Sequence, residues 1–158
     1  MKVLVFSDSH GNTTNMFHVL ERHPEIEMVF HCGDCGRDVS EPQAIYPTRI
    51  FEAVRGNCDT QGAYPLQKNM QLAGKNILIT HGHMYGVKYG LTSLIAKGIQ
   101  EKLDILVFGH THIPCIERTD GLLLVNPGSI SRPKSLSKPT YAVLELSASG
   151  IDASIHTV

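Results

Sequence analysis

The sequence predicts an α/β protein in which two packed sheets carry helices on their outer faces. Two observations lead there. Over the first two-thirds of the chain, short apolar runs alternate with stretches of helical periodicity. After residue 112 the pattern changes to paired strand-like runs separated by turn signals.

Each element has its own warrant. "KVLVF" (2–6) is a run of apolar residues long enough for a buried strand. Asn12 or Thr13 caps a helix with Met16, Phe17 and Leu20 on one face, stopped near Pro24. "EMVF" (27–30) is the second strand, and Ser40-Glu41-Pro42 opens a short helix. "RIFEAV" (49–54) and "KNILIT" (75–80) are further strands. Residues 88–103 place Leu91, Leu94, Ile95, Ile99 and Leu103 at helical spacing, and "DILVF" (104–108) follows as a strand. In "PCIERTDGLLLV", Asp120-Gly121 marks a turn between two strands. "TYAVLEL" (140–146) and "IDASIHTV" (151–158) read as a closing hairpin, and 129–139 as a long exposed loop.

Composition sets the class. The chain has 158 residues, 42% hydrophobic and 18% charged, enough for one domain with a full core over 1–158. Net charge is −1 and no basic block stands out, so strong nucleic-acid binding is not expected. The first apolar run is too short for a secretory core and no run suits a membrane span, so a cytoplasmic protein is expected. Reduced thiols follow for the four cysteines. Cys32 and Cys35 form a C-x-x-C, but Cys58 and Cys115 supply no second pair, which disfavours a zinc ribbon.

The chemistry sits where strands end. "VLVF" runs into Ser7-Asp8-Ser9-His10, "EMVF" into His31-Cys32-Gly33-Asp34, and "FEAV" into Arg55-Gly56-Asn57-Cys58-Asp59. "ILIT" runs into His81-Gly82-His83 and "ILVF" into Gly109-His110-Thr111-His112. Parallel strands align their C-terminal ends along one edge, where α/β proteins place ligands. In extended chain residues i and i+2 point the same way, so Asp8 with His10, and His110 with His112, are each expected to aim at one point. Asp8, His10, Asp34, Asn57, His81, His110 and His112 are too many ligands for one metal and suit two that share a carboxylate. Oxygen and imidazole donors without thiolate suit manganese, nickel, iron, cobalt or zinc.

In this order, D-x-H, G-D, G-N, H and G-H-x-H resemble the calcineurin-like metallophosphoesterase superfamily. The short chain, "GNCD" and "NPGS" (126–129) resemble its small YfcE-like phosphodiesterase branch. The likeness runs from residue 2 to about 134. It implies the metallo-dependent phosphatase fold, a four-layer α/β/β/α sandwich of two mixed sheets. It also implies a divided ligand set: Asp8, His10, Asp34 and His112 on one divalent ion, Asp34, Asn57, His81 and His110 on the other, with Asp34 bridging. The implied activity is hydrolysis of a small phosphodiester by in-line attack of a hydroxide bridging two metals. A phosphomonoesterase, or a non-catalytic module like the small retromer subunit, are the alternatives. A nuclease is disfavoured because relatives that cut nucleic acid carry extra capping segments. A homodimer is compatible with the family.

One departure stands out. Many relatives read G-N-H-(E/D), with that His protonating the leaving group; here the position is Cys58, a poorer general acid. Either esters with good leaving groups are handled best, or another group donates the proton, with His83, two residues after His81, as the candidate. Asp59 is expected to orient Asn57 or a neighbouring ligand. Asn12 and Arg132 are within sequence reach of a substrate phosphate, though a helix cap and a solvated loop arginine explain them as well. His18, His23 and His156 have no such context, His31 lies beside the site, and Cys32, Cys35 and Cys115 are expected to be packed thiols. Loops near 60–68, 84–90 and 131–138 are expected to wall the pocket.

Overall fold

The computed structural model describes residues 1–60, 62, 64–134, 138–148 and 150–158. Ten strands form two five-stranded sheets. The first contains β1 (Lys2–Phe6), β2 (Met28–His31), β3 (Ile50–Ala53), β9 (Thr140–Ser147) and β10 (Gly150–Thr157), in the order β10-β9-β1-β2-β3. The second contains β4 (Gln67–Leu72), β5 (Lys75–Thr80), β6 (Ile105–Val107), β7 (Cys115–Thr119) and β8 (Leu122–Asn126), in the order β4-β5-β6-β8-β7. Both are mixed. β1, β2 and β3 are parallel, as are β5, β6 and β8, while β9, β10, β4 and β7 join antiparallel.

Strand alternation builds the layers. Val3, Val5, Ile77, Ile79, Ile105, Val107, Leu123 and Val125 face the space between the sheets and pack into one core. Leu4 and Phe6 face outward onto Met16, Val19 and Leu20 of helix α1 (Thr14–Arg22). On the other sheet Leu78, Leu106 and Leu124 face outward with Leu94 of helix α3 (Thr92–Gln100). The result is the expected α/β/β/α sandwich. Burial on both faces explains why the central strands read as unbroken apolar runs.

Differences from expectation have local causes. α3 is shorter than 88–103: Gly90 has φ 145° before it and Lys102 has φ 53° after it, and Ile99 is half exposed instead of on the core face. β4 had no expected counterpart. It is largely polar, and it is held by pairing with β5 through a turn in which Ala73 and Gly74 both have positive φ, the geometry that matches hairpin twist. The turn at Asp120-Gly121 has the same paired signs, as its sequence indicates. Helix α2 (Ser40–Ile45) opens at Ser40 as expected. Asn12 accepts the Thr14 N–H at 3.2 Å, so its side chain is engaged at the start of α1. The stretch 129–139 is not uniformly exposed: Ser129 and Ile130 are fully buried, and residues 135–137 lie outside the described residues.

Candidate metal centre

Parallel strands deliver all five polar endings to one edge, and hydrogen bonds stitch the endings together. The Asp8 N–H donates to the Gly33 carbonyl at 3.0 Å and the Gly109 N–H to the His81 carbonyl at 3.3 Å. Between the sheets, the His110 N–H donates to Asp8 Oδ2 at 3.0 Å. Close approach demands glycine here. A Cβ on Gly109 would collide with Ser7 Oγ, and one on Gly56 would lie 2.5 Å from the Asp34 nitrogen and 2.9 Å from His81 Cδ2.

The backbone corrects the expected route to convergence. Asp8, His10, Asp34, His110 and His112 have φ of 55°, 48°, 58°, 69° and 60°. They are not extended. Each occupies the left-handed region, at a cost of about 1–3 kcal/mol for a residue with a side chain, the strain that functional sites commonly store. One consequence is that His110 and His112 do not aim at one point; they part into two adjoining groups.

The first group is Asp8, His10, Asp34 and His112, whose ligand atoms lie within 4.8 Å of one another. His112 Nε2 is 3.2 Å from Asp8 Oδ1, and His10 Nε2 is 3.2 Å from His112 Nε2 and 3.3 Å from Asp34 Oδ2. His112 Nδ1–H donates to the Arg132 carbonyl at 2.5 Å, so a neutral His112 turns a lone pair, not a proton, toward Asp8. Asp8 Oδ1 is buried with no hydrogen-bond donor. Burial alone would raise the Asp8 pKa. The His112 contact, the nearby His81 and the Ser7 hydroxyl at 2.7 Å outweigh it and hold the carboxyl below its usual value. The His112 pKa is raised, chiefly by Asp8.

The second group is Asn57, His81 and His110. His81 is fully buried, and its Nδ1–H donates to the Cys32 carbonyl at 2.8 Å. That points the Nε2 lone pair at Asn57 Oδ1 and His110 Nδ1, each 3.1 Å away. Asp34 stands between the groups, with Oδ1 4.0 Å from His81 Nε2 and Oδ2 facing His10. Burial first, and then His81, push the His110 pKa down to about 4. The Nε2 lone pairs of His81 and His112 are thus turned toward carboxylate and amide oxygens, a repulsion that a divalent cation would remove. The first group therefore fits a divalent ion, and Asn57, His81 and His110 place further nitrogen and oxygen donors beside it.

Other expected residues are placed as follows. The Cys58 N–H donates to Asp34 Oδ1 at 2.8 Å and its S–H to Oδ2 at 3.3 Å, and the Asp34 contact pushes the thiol up to about 11. Asp59 accepts the N–H groups of Cys35, Gly36 and Gly56, tying the loop of Asp34 to the loop of Asn57. The His83 ring lies 5.4 Å from that of His81 and 6.1 Å from that of His110. Its Nδ1 is buried without a partner, and burial lowers its pKa. Arg132 meets the site through its backbone carbonyl, and its side chain is exposed. Cys32 is buried, Cys35 and Cys115 are half-buried, and the cysteines are free.

A supporting layer surrounds these residues, and of it only His31 was expected beside the site. Ser9 Oγ–H donates to Asp38 Oδ2 at 2.6 Å and sits 3.0 Å from His31 Nε2, while the Gly11 N–H donates to the same Asp38 oxygen at 2.7 Å. This locks the loop between Asp8 and α1. Ser129 Oγ–H donates to the Asp8 carbonyl at 2.8 Å, which explains its burial. Asn126 donates to the Gly109 carbonyl at 2.9 Å. The "NPGS" segment was the available signal for the last two; Asp38 carried none.

Comparison with known proteins agrees with this geometry. The calcineurin-like phosphoesterase superfamily domain matches residues 1–149. The probable metallophosphoesterase YsnB of Bacillus subtilis is 35% identical over 147 residues, covering 92% of this chain and 85% of that protein. The phosphodiesterase YfcE of Escherichia coli K12 is 30% identical over 168 residues, covering 92% and 88%. A crystal structure of a predicted phosphoesterase from Streptococcus pneumoniae TIGR4 superposes with a TM-score of 0.84 at 29% identity, covering 99% of this chain and 88% of that one.

Proposed function

The chain belongs to the calcineurin-like phosphoesterase superfamily, and from that premise we propose that it is a phosphodiesterase working with two divalent cations on a small phosphodiester. The observation that carries this reading is the pair of fixed imidazoles. His81 and His112 each commit Nδ1–H to a backbone carbonyl, so that both Nε2 atoms face carboxylate or amide oxygens across a shared Asp34.

In this reading Asp8, His10, Asp34 and His112 hold one ion, and Asp34, Asn57, His81 and His110 the other. Two such ions supply Lewis acidity toward a phosphoryl group and a water acidified to near neutral pH. The chain does the rest. Asp59 keeps the Asp34 and Asn57 loops in register, and Ser7, Ser129 and the His110 N–H hold Asp8 in its strained conformation. Cys58 keeps its proton and steadies Asp34 instead of donating to the leaving group. His83, beside both His81 and His110, is the group we assign to the leaving oxygen.

The test is hydrolysis of bis(p-nitrophenyl) phosphate and p-nitrophenyl phosphate by metal-stripped protein. Manganese, nickel, cobalt, zinc or magnesium is returned in turn, with Asp34→Ala alongside. Metal-dependent diester cleavage that Asp34→Ala lacks supports the reading. Preference for the monoester makes the chain a phosphomonoesterase, and folded protein inert with every metal points to an interaction module.

A further inference from the structure

Beside the centre lies a pocket of about 450 Å³ that the activity above does not require. Cys58 belongs to both: it lines the pocket while its sulfur touches Asp34 at 3.3 Å. The pocket therefore opens directly from the Asp34 side of the centre. Its walls include two guanidinium groups, Arg37 and Arg55, and the hydroxyls of Ser40 and Tyr64, which lie 3.5 Å apart.

The charges in this pocket are unbalanced. Asp59 is the carboxylate among the described lining residues, and both its oxygens are turned to backbone N–H groups at 2.7–3.2 Å. It does not pair with either arginine. Neither guanidinium has a hydrogen-bond or ion-pair partner among the described residues, and Arg55 Nε is buried with none. By contrast Arg49 and Arg118 each donate to a backbone carbonyl at 2.7 Å, although Arg49 Nη1 is also buried without a partner among the described residues. A buried N–H without an acceptor costs free energy, which an oxyanion reaching it recovers. Arg55 also lies close enough to bear on His83, so the cationic wall extends toward the reacting edge.

We propose that this pocket takes a second anionic group, phosphoryl or carboxylate, carried on one ester arm of the substrate, with Arg55 and Arg37 as its specificity-determining residues. A guanidinium fork matches either oxyanion with paired N–H donors. The inference rests on the phosphodiesterase reading and narrows it: the substrate class is a phosphodiester that is already anionic one arm away from the scissile phosphorus.

The experiment compares p-nitrophenyl phosphodiesters of propanol, 3-hydroxypropanoate and 3-hydroxypropylphosphonate, which share one leaving group, on manganese-loaded protein. We expect the wild type to favour the anionic esters over the propyl ester. Arg55→Gln and Arg37→Gln should each cut that preference about tenfold, through KM, with Lys at either position keeping part of it. The better of the two anionic esters tells phosphoryl from carboxylate. A preference unchanged by both Gln variants, or an equal loss on all three esters, overturns the proposal. If the wild type cleaves none of them with any metal, the phosphodiesterase reading fails, and the pocket is then judged by binding alone. Metal-free protein is titrated with inorganic phosphate while the arginine Nε–Hε NMR signals are followed, that of Arg55 being assigned by its absence in Arg55→Lys. A saturable shift sustains an oxyanion pocket, and an unmoved signal overturns it.

Discussion

His110 and His112 are two residues apart, yet their pKa values move in opposite directions. His112 is pushed up by Asp8, and His110 is pushed down to about 4 by burial and His81. The difference is one of charge. The group around His112 contains two buried carboxylates, Asp8 and Asp34, and without a cation it attracts a proton. The group around His110 has two imidazoles and an amide and shares only Asp34, so burial outweighs the pull toward charge at His110. The first half thus favours positive charge at His112, and the second disfavours it at His110. The halves should differ in how tightly they hold metal and how they respond to acid.

The variant that breaks both halves together is Asp34→Asn. It keeps the shape and removes the charge between them. We expect hydrolysis to fall on the order of a thousandfold, with both metal equivalents weakened in calorimetric titration. Loss of one equivalent alone would show that Asp34 serves a single ion.

Acid separates the halves in the metal-free protein. His31, under the first half, is fully buried and its pKa is pushed down to about 4, first by burial. Unfolded chain takes up that proton near pH 6.5 and folded chain only near 4, so stability is full above pH 6.5 and is lost as pH falls toward 4. The loss is roughly 3 kcal/mol, since each pH unit between the folded and unfolded titrations carries about 1.4 kcal/mol. His110 acts in the same direction from the second half, more weakly because solvent screens it. Urea melts at several pH values check this: His31→Gln should flatten the slope more than His110→Asn does.

Metal titration sharpens the same contrast. The two carboxylates of the first half should give it at least about tenfold tighter binding, since affinity follows ligand charge. Metal there competes with a proton on His112, whose pKa Asp8 raises, so its affinity is expected to rise with pH. His112→Ala should remove the tight, proton-releasing step, and His81→Ala the weak one. Calorimetry in buffers of different ionisation enthalpy reads both.

How much of this was legible in the sequence follows from the same chemistry. The candidate donor residues, their order and their place after strands were all visible, because a continuous apolar run followed by Asp or His is a local signal. Layering was visible for the same reason. The direction of His110 and His112 was not, because left-handed φ at five ligand residues is set by contacts from other strands, such as the His110 N–H on Asp8. β4 was hidden by polar residues that only pairing with β5 makes a strand. Asp38, Ser9 and His31 join across 29 and 22 residues of chain, and nothing in "GRDV" announces it.

The smallest effect concerns the leaving group and falls on the second half. Cys58 follows Asn57 in the strand-end segment, and its thiol, pushed up to about 11 by Asp34, gives up its proton poorly. His83 lies against His81 and His110, and burial lowers its pKa, so a proton it carries is given up more readily than that of the Cys58 thiol. A p-nitrophenolate leaves without help, and an alkoxide does not. His83→Gln should therefore lower kcat for an alkyl phosphodiester at least about tenfold while p-nitrophenyl esters turn over nearly as before, and Cys58→Ser should separate the two far less. Parallel kinetics on one ester of each kind decide it. An equal loss on both would mean that His83 packs His81 in place without donating a proton. No loss on either would leave the alkoxide to be protonated by water at the open side of the second half, where Asn57 and Cys58 are exposed.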